Sequence, residues 1–456
     1  MTVLNDVNTN PLNQTKLMKT SFRLLLCACV AFALFASSAF AQIGTRFPSE
    51  KKVINDPITG TKLAFLTSKP AGDSKIYQTH PQWTSDLKWL VFRSNRVPGE
   101  AMAVNEETGD IVQVTEGGYF GMLTLARKSM KLYVMRDASL AGSEQPNWGA
   151  NENDKTIVEV DLEKLFADSE SGNLGPADDY QRVVGIVPSS MGAGGDMAID
   201  ANEDLIYFRI GKEEAQKHLK PGTKIEENFG PRNMGAGPTG IASMNIETGE
   251  IWIVTVVGFQ MGHIQTNPWV SRELVFCWET GGKSPQRTWS VKVGEEPQVL
   301  YPEADYEWVT HEAVITPDEV AFAIMGHRKP GTNDEWGPSG TREKPTGLGV
   351  INLRTHEMRV EAQTHQGSGF WHVHGSADGR WVVGDNFARD LYIINRKTGE
   401  MTLLTTGHKP TARDHVHPTF CPDGTKIEIQ SAMLSEDNRS MNICIVYLPK
   451  ALLQKD

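Results

Sequence analysis

Residues 376–385 read SADGRWVVGD, and residues 390–405 read DLYIINRKTGEMTLLT. Together they form one unit: an Asp-Gly turn, a β-rich run, a short gap, a second β-rich run and a KTG turn into a third. Val, Ile and Tyr alternate through the runs, which is strand patterning. The KTG turn is a hairpin signal. Its successor is CPDGTKIEIQSA (421–432) with NICIVYLP (442–449), and its predecessor is TPDEVAFAIMGH (316–327) with GLGVINLRTHEMRVE (347–361). Four earlier copies follow the same plan: 84–95 with 101–115, 126–137 with 156–165, 200–210 with 240–255, and 270–280 with 288–300. Seven copies of about 59 residues fit the blades of a propeller with long loops. A four-stranded blade cannot bury its own faces, whereas a ring of blades can. The expected fold class is therefore all-β, a seven-bladed β-propeller. The last copy lacks an outer strand, and GTKLAFLT (60–67) is predicted to supply it, closing the ring and removing an open edge.

The ring begins after a separate leader. Residues 22–41, FRLLLCACVAFALFASSAFA, follow Lys16 and Lys19 and end in Ala-Phe-Ala. This is the layout of a secretory signal, with residues 1–41 removed and a single domain left over 42–456. A periplasmic or secreted protein without a membrane anchor after cleavage is the expectation. The full chain of 456 residues carries a formal charge of −11, and the segment 42–456 carries −13. So acidic a chain lacks the basic surface that nucleic-acid binding needs. Only Cys277, Cys421 and Cys444 lie beyond the leader, too few for a disulfide framework or a thiolate zinc site. Any metal site must therefore be built from imidazole and carboxylate. No G-x-S-x-G elbow and no phosphate-binding loop in a strand-to-helix context occurs.

The histidines follow the repeat. His80, His372 and His417 each precede a turn Asp by six residues, His311 precedes Asp318 by seven, and His263 falls just before the turn at Ser271. The strand leading into that turn is the innermost of a blade, so these imidazoles are predicted to converge at a mouth of the axial channel. His372–Val373–His374 and His415–Val416–His417 place two imidazoles on one strand face. Imidazole with carboxylate, from Asp414 or Glu312, suits manganese, iron or zinc.

Four segments carry a resemblance to the oligogalacturonate lyase family: GHIQTNPW (262–269), THEAVITPD (310–318), WHVHGSADGRWVVGDN (371–386) and DHVHPTFCPDG (414–424). DPITGTKLAFLT (56–67) resembles that family's opening strand. The resemblance implies a seven-bladed propeller that cleaves short oligogalacturonates by β-elimination to 4,5-unsaturated products, with a divalent ion, manganese first and zinc or iron as alternatives. It implies His311, His415 and His417 as metal ligands and His263 as the base. Gln265, Asn267, His372, His374 and Arg328 are the expected contacts to an acidic oligosaccharide. The sequence departs from the family at Ala412, where a Gln is usual, and at Asn267 and Gly240, where Arg is usual. Two other readings fit the strand pattern: a lyase for another polyuronate such as ulvan, and a non-catalytic TolB-like binding or scaffolding propeller.

Overall fold

The computed structural model describes residues 42–143, 152–305, 307–325, 346–363 and 369–453. The expected leader and Arg328 lie outside the described residues. Ile43–Asp456 forms one compact unit. Its strands make seven antiparallel sheets in a ring, a seven-bladed β-propeller. Within a blade the chain moves outward from the axis. The fourth blade runs from its inner strand Met261–Thr266 to Glu273–Trp278, Thr288–Lys292 and the outermost Gln298–Val299.

The seventh blade is shared between the chain ends. Thr419–Phe420, Lys426–Ser431 and Asn442–Tyr447 come from the C-terminal side, and Lys62–Phe65 adds to their edge through Leu63↔Val446 and Phe65↔Cys444. Lys52–Asn55 then pairs outside Lys62–Phe65. GTKLAFLT fills the gap as expected, and the N-terminal segment goes further. Arg46–Phe47 also pairs with Ile111–Gln113 of the first blade, so this segment laces two blades.

Strict apolar alternation gives way in the second strands. Every residue of Trp89–Arg93, Glu273–Trp278 and Trp381–Asn386 is buried. Both faces of such a strand pack against neighbouring blades, so the polar face expected of an exposed sheet is absent. Leu63 and Phe65 illustrate the packing, since both are fully buried with Trp381, Val383, Ile429 and Val446. Each such side chain contributes roughly 1.5–3 kcal/mol by burial.

An asparagine starts the turn between the third and fourth strands in four of the blades. The Oδ1 atoms of Asn105, Asn245, Asn352 and Asn395 accept hydrogen bonds from the backbone N–H groups two and three residues on, at 2.7–3.2 Å. This turn ends in a left-handed residue, filled by Gly109, Gly249 and Gly399 but by His356 in the fifth blade. One sequence expectation changes locally. The run read as a strand over 156–165 ends at Asp161, whose side chain accepts from Lys164 N and caps a helix, Leu162–Ser171.

Candidate active site

Bulges on the inner strands present the imidazoles. Pairing with the second strand breaks between Gly262 and Gln265, between Thr310 and Ala313, and between Phe370 and Val373. His263, His311 and His372 lie in these breaks. His263, His311 and His417 have φ of 51°, 57° and 49°, a left-handed conformation uncommon for any residue with a Cβ. A bulge re-aims side chains and often borders a site of function. The second blade carries the same break at Gly121, φ 70°, where a Cβ would stand 2.2 Å from the Gly195 carbonyl oxygen. That blade therefore offers no imidazole at this position and contributes Met122 to the cavity wall instead.

These residues surround a cavity of about 470 Å³ lined by Lys75, Tyr77, Arg93, Asp196, His263, His311, Trp371, His372, Asp414 and His417. The His372 ring stacks on His417 at 3.5 Å between centroids and lies 4.2 Å from His311 and 5.5 Å from His415. Tyr77 sits 4.9 Å from His263 and 5.3 Å from His417. Ligand-type atoms of His372, Asp414 and His417 lie within 4.8 Å of one another, as do those of His372, Asp385 and His415.

Carboxylates orient the rings. Asp385 is fully buried; it accepts from His415 Nδ1 at 2.8 Å and from the His372 backbone N–H at 2.7 Å. Burial pushes its pKa up, but the neighbouring His372 and the bond from His415 outweigh this and hold it well below the usual range. Asp414 Oδ1 pairs with His417 Nε2 at 2.8 Å, and Gln430 Nε2 donates to Oδ2 at 3.0 Å. His311 Nδ1 bonds the Trp371 carbonyl at 2.7 Å, which leaves Nε2 as its other ring nitrogen. Burial, then the neighbouring His372, holds His311 well below its ordinary pKa. Burial, then His417, pulls His372 down to about 4. Both are therefore neutral at pH 7, as metal ligation requires.

His263 differs. Its Nε2 lies 3.1 Å from Glu279 Oε2, and Glu279 is 3.7 Å from Arg287, whose Nε donates to the buried Glu312 at 3.0 Å. Burial lowers the His263 pKa, yet the Glu279 hydrogen bond and charge outweigh it, so the net shift is upward. An ionised Glu279 accepts the Nε2–H, which leaves the Nδ1 lone pair as the basic atom.

Not every expected residue joins this cavity. His415 stands behind His372, joined to it through Asp385. Gln265 is buried between blades, donating to the Glu312 carbonyl and accepting from Val314 N. Asn267 is buried in a turn, bonded to Glu273, Pro317, Trp269 and Val270. Neither lines the cavity: backbone groups hold the Gln265 amide, and backbone groups with the Glu273 carboxylate hold that of Asn267. His374 lies deeper along its inner strand, bonded to the Gly375 carbonyl, and lines a different cavity. His80 also leaves the expected cluster. The inner strand of the first blade is only Ser74–Lys75, so the chain turns before reaching it, and its Nε2 bonds the Met197 carbonyl at 2.8 Å. Tyr77 takes its place. Lys75, Tyr77, Arg93, Glu279 and Asp385 were missed: Asp385 lies within one of the four resembling segments but carried no role, Glu279 lies in none of them, and only ring closure brings Lys75, Tyr77 and Arg93 of the first blade against the sixth and seventh.

No protein-family model matches the chain, and no curated protein matches it in sequence. Its fold is that of solved lyases. An oligogalacturonate lyase in complex with manganese aligns with a TM-score of 0.68 at 18% identity, covering 91% of this chain and 100% of that one. The oligogalacturonate lyase of Vibrio parahaemolyticus aligns with a TM-score of 0.67 at 19% identity, covering 90% and 100%. A WD40-repeat propeller reaches 0.50 at 9% identity. At these identities the likeness is one of fold.

Proposed function

We propose that the chain is a periplasmic or secreted polysaccharide lyase that cleaves short galacturonate oligosaccharides by β-elimination, leaving a 4,5-unsaturated uronate. The observation that carries this reading is the convergence of His263, His311, His372 and His417, from four blades, on one cavity. The lyase fold of the neighbouring structures supports it. Manganese in one of those structures agrees with the nitrogen and oxygen donors here.

β-Elimination removes the proton α to a uronate carboxylate and expels the oxygen at C4. His263 is the base, taking that proton on Nδ1 while Glu279 stabilises the imidazolium. His372, His417 and Asp414 would hold a divalent cation, with His311 and His415 beside them. The fit is chemical: imidazole nitrogen beside a carboxylate, with His372 neutral at pH 7 and its buried Nδ1 left without a hydrogen bond among the described residues, Asp385 Oδ1 standing 3.5 Å away. Such an ion, when bound, draws charge from the substrate carboxylate and so eases removal of the adjacent proton. Lys75 and Arg93 add positive potential at the cavity wall of an otherwise acidic chain. Burial keeps the Tyr77 hydroxyl protonated, and among the described residues it has no well-aligned acceptor, so it is the donor to the leaving oxygen.

The test is a purified-protein assay on trigalacturonate, ulvan and glucuronan, with and without chelator, read by ultraviolet absorbance of the unsaturated product. Product from trigalacturonate that chelator abolishes supports the reading. Product from ulvan or glucuronan alone moves the substrate to another polyuronate, and no product from any of the three supports the binding or scaffolding alternative.

A further inference from the structure

The inner strands continue past the imidazole cavity to a second one. Along Trp308–Thr316, His311 borders the first cavity and Val314 the second; along Phe370–Gly375, His372 borders the first and His374 the second. Tyr77 and Gln78 divide in the same way. The second cavity measures about 340 Å³ and includes Arg127, Trp269, His374, Gln82, Thr419 and Phe420 in its wall.

Arg127 is the only ionised side chain among the described residues of that wall, and it has no counter-ion. Its guanidinium makes no hydrogen bond or ion pair among the described residues, and its Nε is buried without a partner. Its one specific contact is the Trp269 ring, 4.9 Å from the guanidinium carbon to the centroid. Asp200 and Glu203 border a narrow cleft that Arg127 also lines, but their oxygens are taken. Asp200 accepts from Asn202, Tyr207, Ser271 and Arg272, and Glu203 accepts from Lys128 and Ser129. Burial alone drags the Arg127 pKa down to about 10, with no anion to oppose it. Arg127 is only half-buried, but a cation with its Nε shut off from solvent and no partner is costly unless a ligand supplies the charge. Trp269 is 36% exposed and so offers an aromatic surface beside that charge.

We propose that this second cavity binds one uronate residue, its carboxylate on the Arg127 guanidinium and its pyranose ring against Trp269. A guanidinium fork matches a carboxylate bidentately, and an aromatic surface suits the apolar face of a sugar. The choice of uronate rests on the proposed function, whereas the anion site itself does not. Its place along the channel makes it a holding site for substrate or product apart from the imidazole cluster.

Calorimetric titration of the full-length protein with monomeric galacturonate, which has no glycosidic bond to cleave, tests this. Galactose and acetate serve as single-feature controls. Two sites are expected in the wild type. Arg127→Met should lose one of them, with affinity there falling at least about tenfold. Arg127→Lys, which keeps charge but not the fork, and Trp269→Ala, on the exposed rim, should each weaken that site. One site that Arg127→Met removes would uphold this inference while counting against the lyase cavity. One site that Arg127→Met, Arg127→Lys and Trp269→Ala all leave unchanged would overturn this inference and leave the lyase reading intact. Acetate binding as tightly as galacturonate would overturn the sugar contact, and galactose binding as tightly would overturn the carboxylate contact.

Discussion

Glu279→Gln isolates the device that makes His263 a base. In the wild type the carboxylate accepts the Nε2–H at 3.1 Å and raises the imidazole pKa against the opposing effect of burial. The amide keeps the shape but removes the charge that stabilises the imidazolium formed in the reaction. A hydrogen bond to a charged group contributes about 1.5–3 kcal/mol. At about 1.4 kcal/mol per tenfold, kcat should fall roughly 10- to 100-fold. KM should change little, because the group acts through His263 and does not line the cavity. The direction with pH is also fixed. Without the carboxylate, burial and the nearby Arg287 charge lower the His263 pKa with only Glu312 to oppose them, so it drops and the acid limb of the kcat profile moves to lower pH. Arg287 keeps its partner Glu312, so the fold survives with a modest loss of stability. Initial rates on trigalacturonate from pH 4 to 9, beside a thermal melt, measure all of this. A kcat within twofold of wild type, with an unmoved acid limb in a folded variant, would refute the base assignment.

Other outcomes follow from the same geometry. Asp385→Asn should weaken metal binding about 10- to 100-fold, read by titration of stripped protein. Because Asp385 has a depressed pKa in the fold, its stabilising effect is present above the unfolded value near 3.8 and is lost as pH falls through the depressed value. The stability gap between variant and wild type should therefore shrink in acid, which urea melts at pH 7 and pH 3 would show. His372→Ala with His417→Ala should abolish stoichiometric metal by elemental analysis without changing the far-ultraviolet circular dichroism. Phe65→Ala should cost about 3–5 kcal/mol in chemical denaturation, since it removes a fully buried ring from the strand that closes the propeller. Gly121→Ala should lower the melting temperature, because its methyl would collide with the Gly195 backbone.

The fold was largely legible because a propeller repeats its signal. Seven Asp or Gly turns and their flanking runs marked the blades, and GTKLAFLT stood out as an unpaired strand before the first. The site was legible only where it repeats. His263, His311, His372 and His417 share a repeat position, and the structure gathers them. Their presentation depends on bulges that leave no mark in apolar periodicity, so His80, at the same repeat position, and His374, two residues past His372, line a different cavity. A bulge shifts which neighbour faces the axis, and a two-residue inner strand ends before His80. Gln265 and Asn267 sit in a motif-bearing segment, yet their amides serve the backbone. Lys75, Tyr77 and Arg93 were not legible, because their relevance comes from closure that joins residues hundreds of positions apart. Arg127 is different again: its role rests on a missing partner, which only coordinates reveal.

Mass spectrometry of the products from trigalacturonate, using metal-stripped protein and the same protein reconstituted with manganese, tests the central claim most directly. Elimination yields two fragments whose masses sum to that of the substrate, one of them lighter by a water than its saturated counterpart. The account predicts that pair from reconstituted protein and intact substrate from stripped protein. Fragments whose masses sum to substrate plus water, or equal cleavage with and without metal, would contradict it.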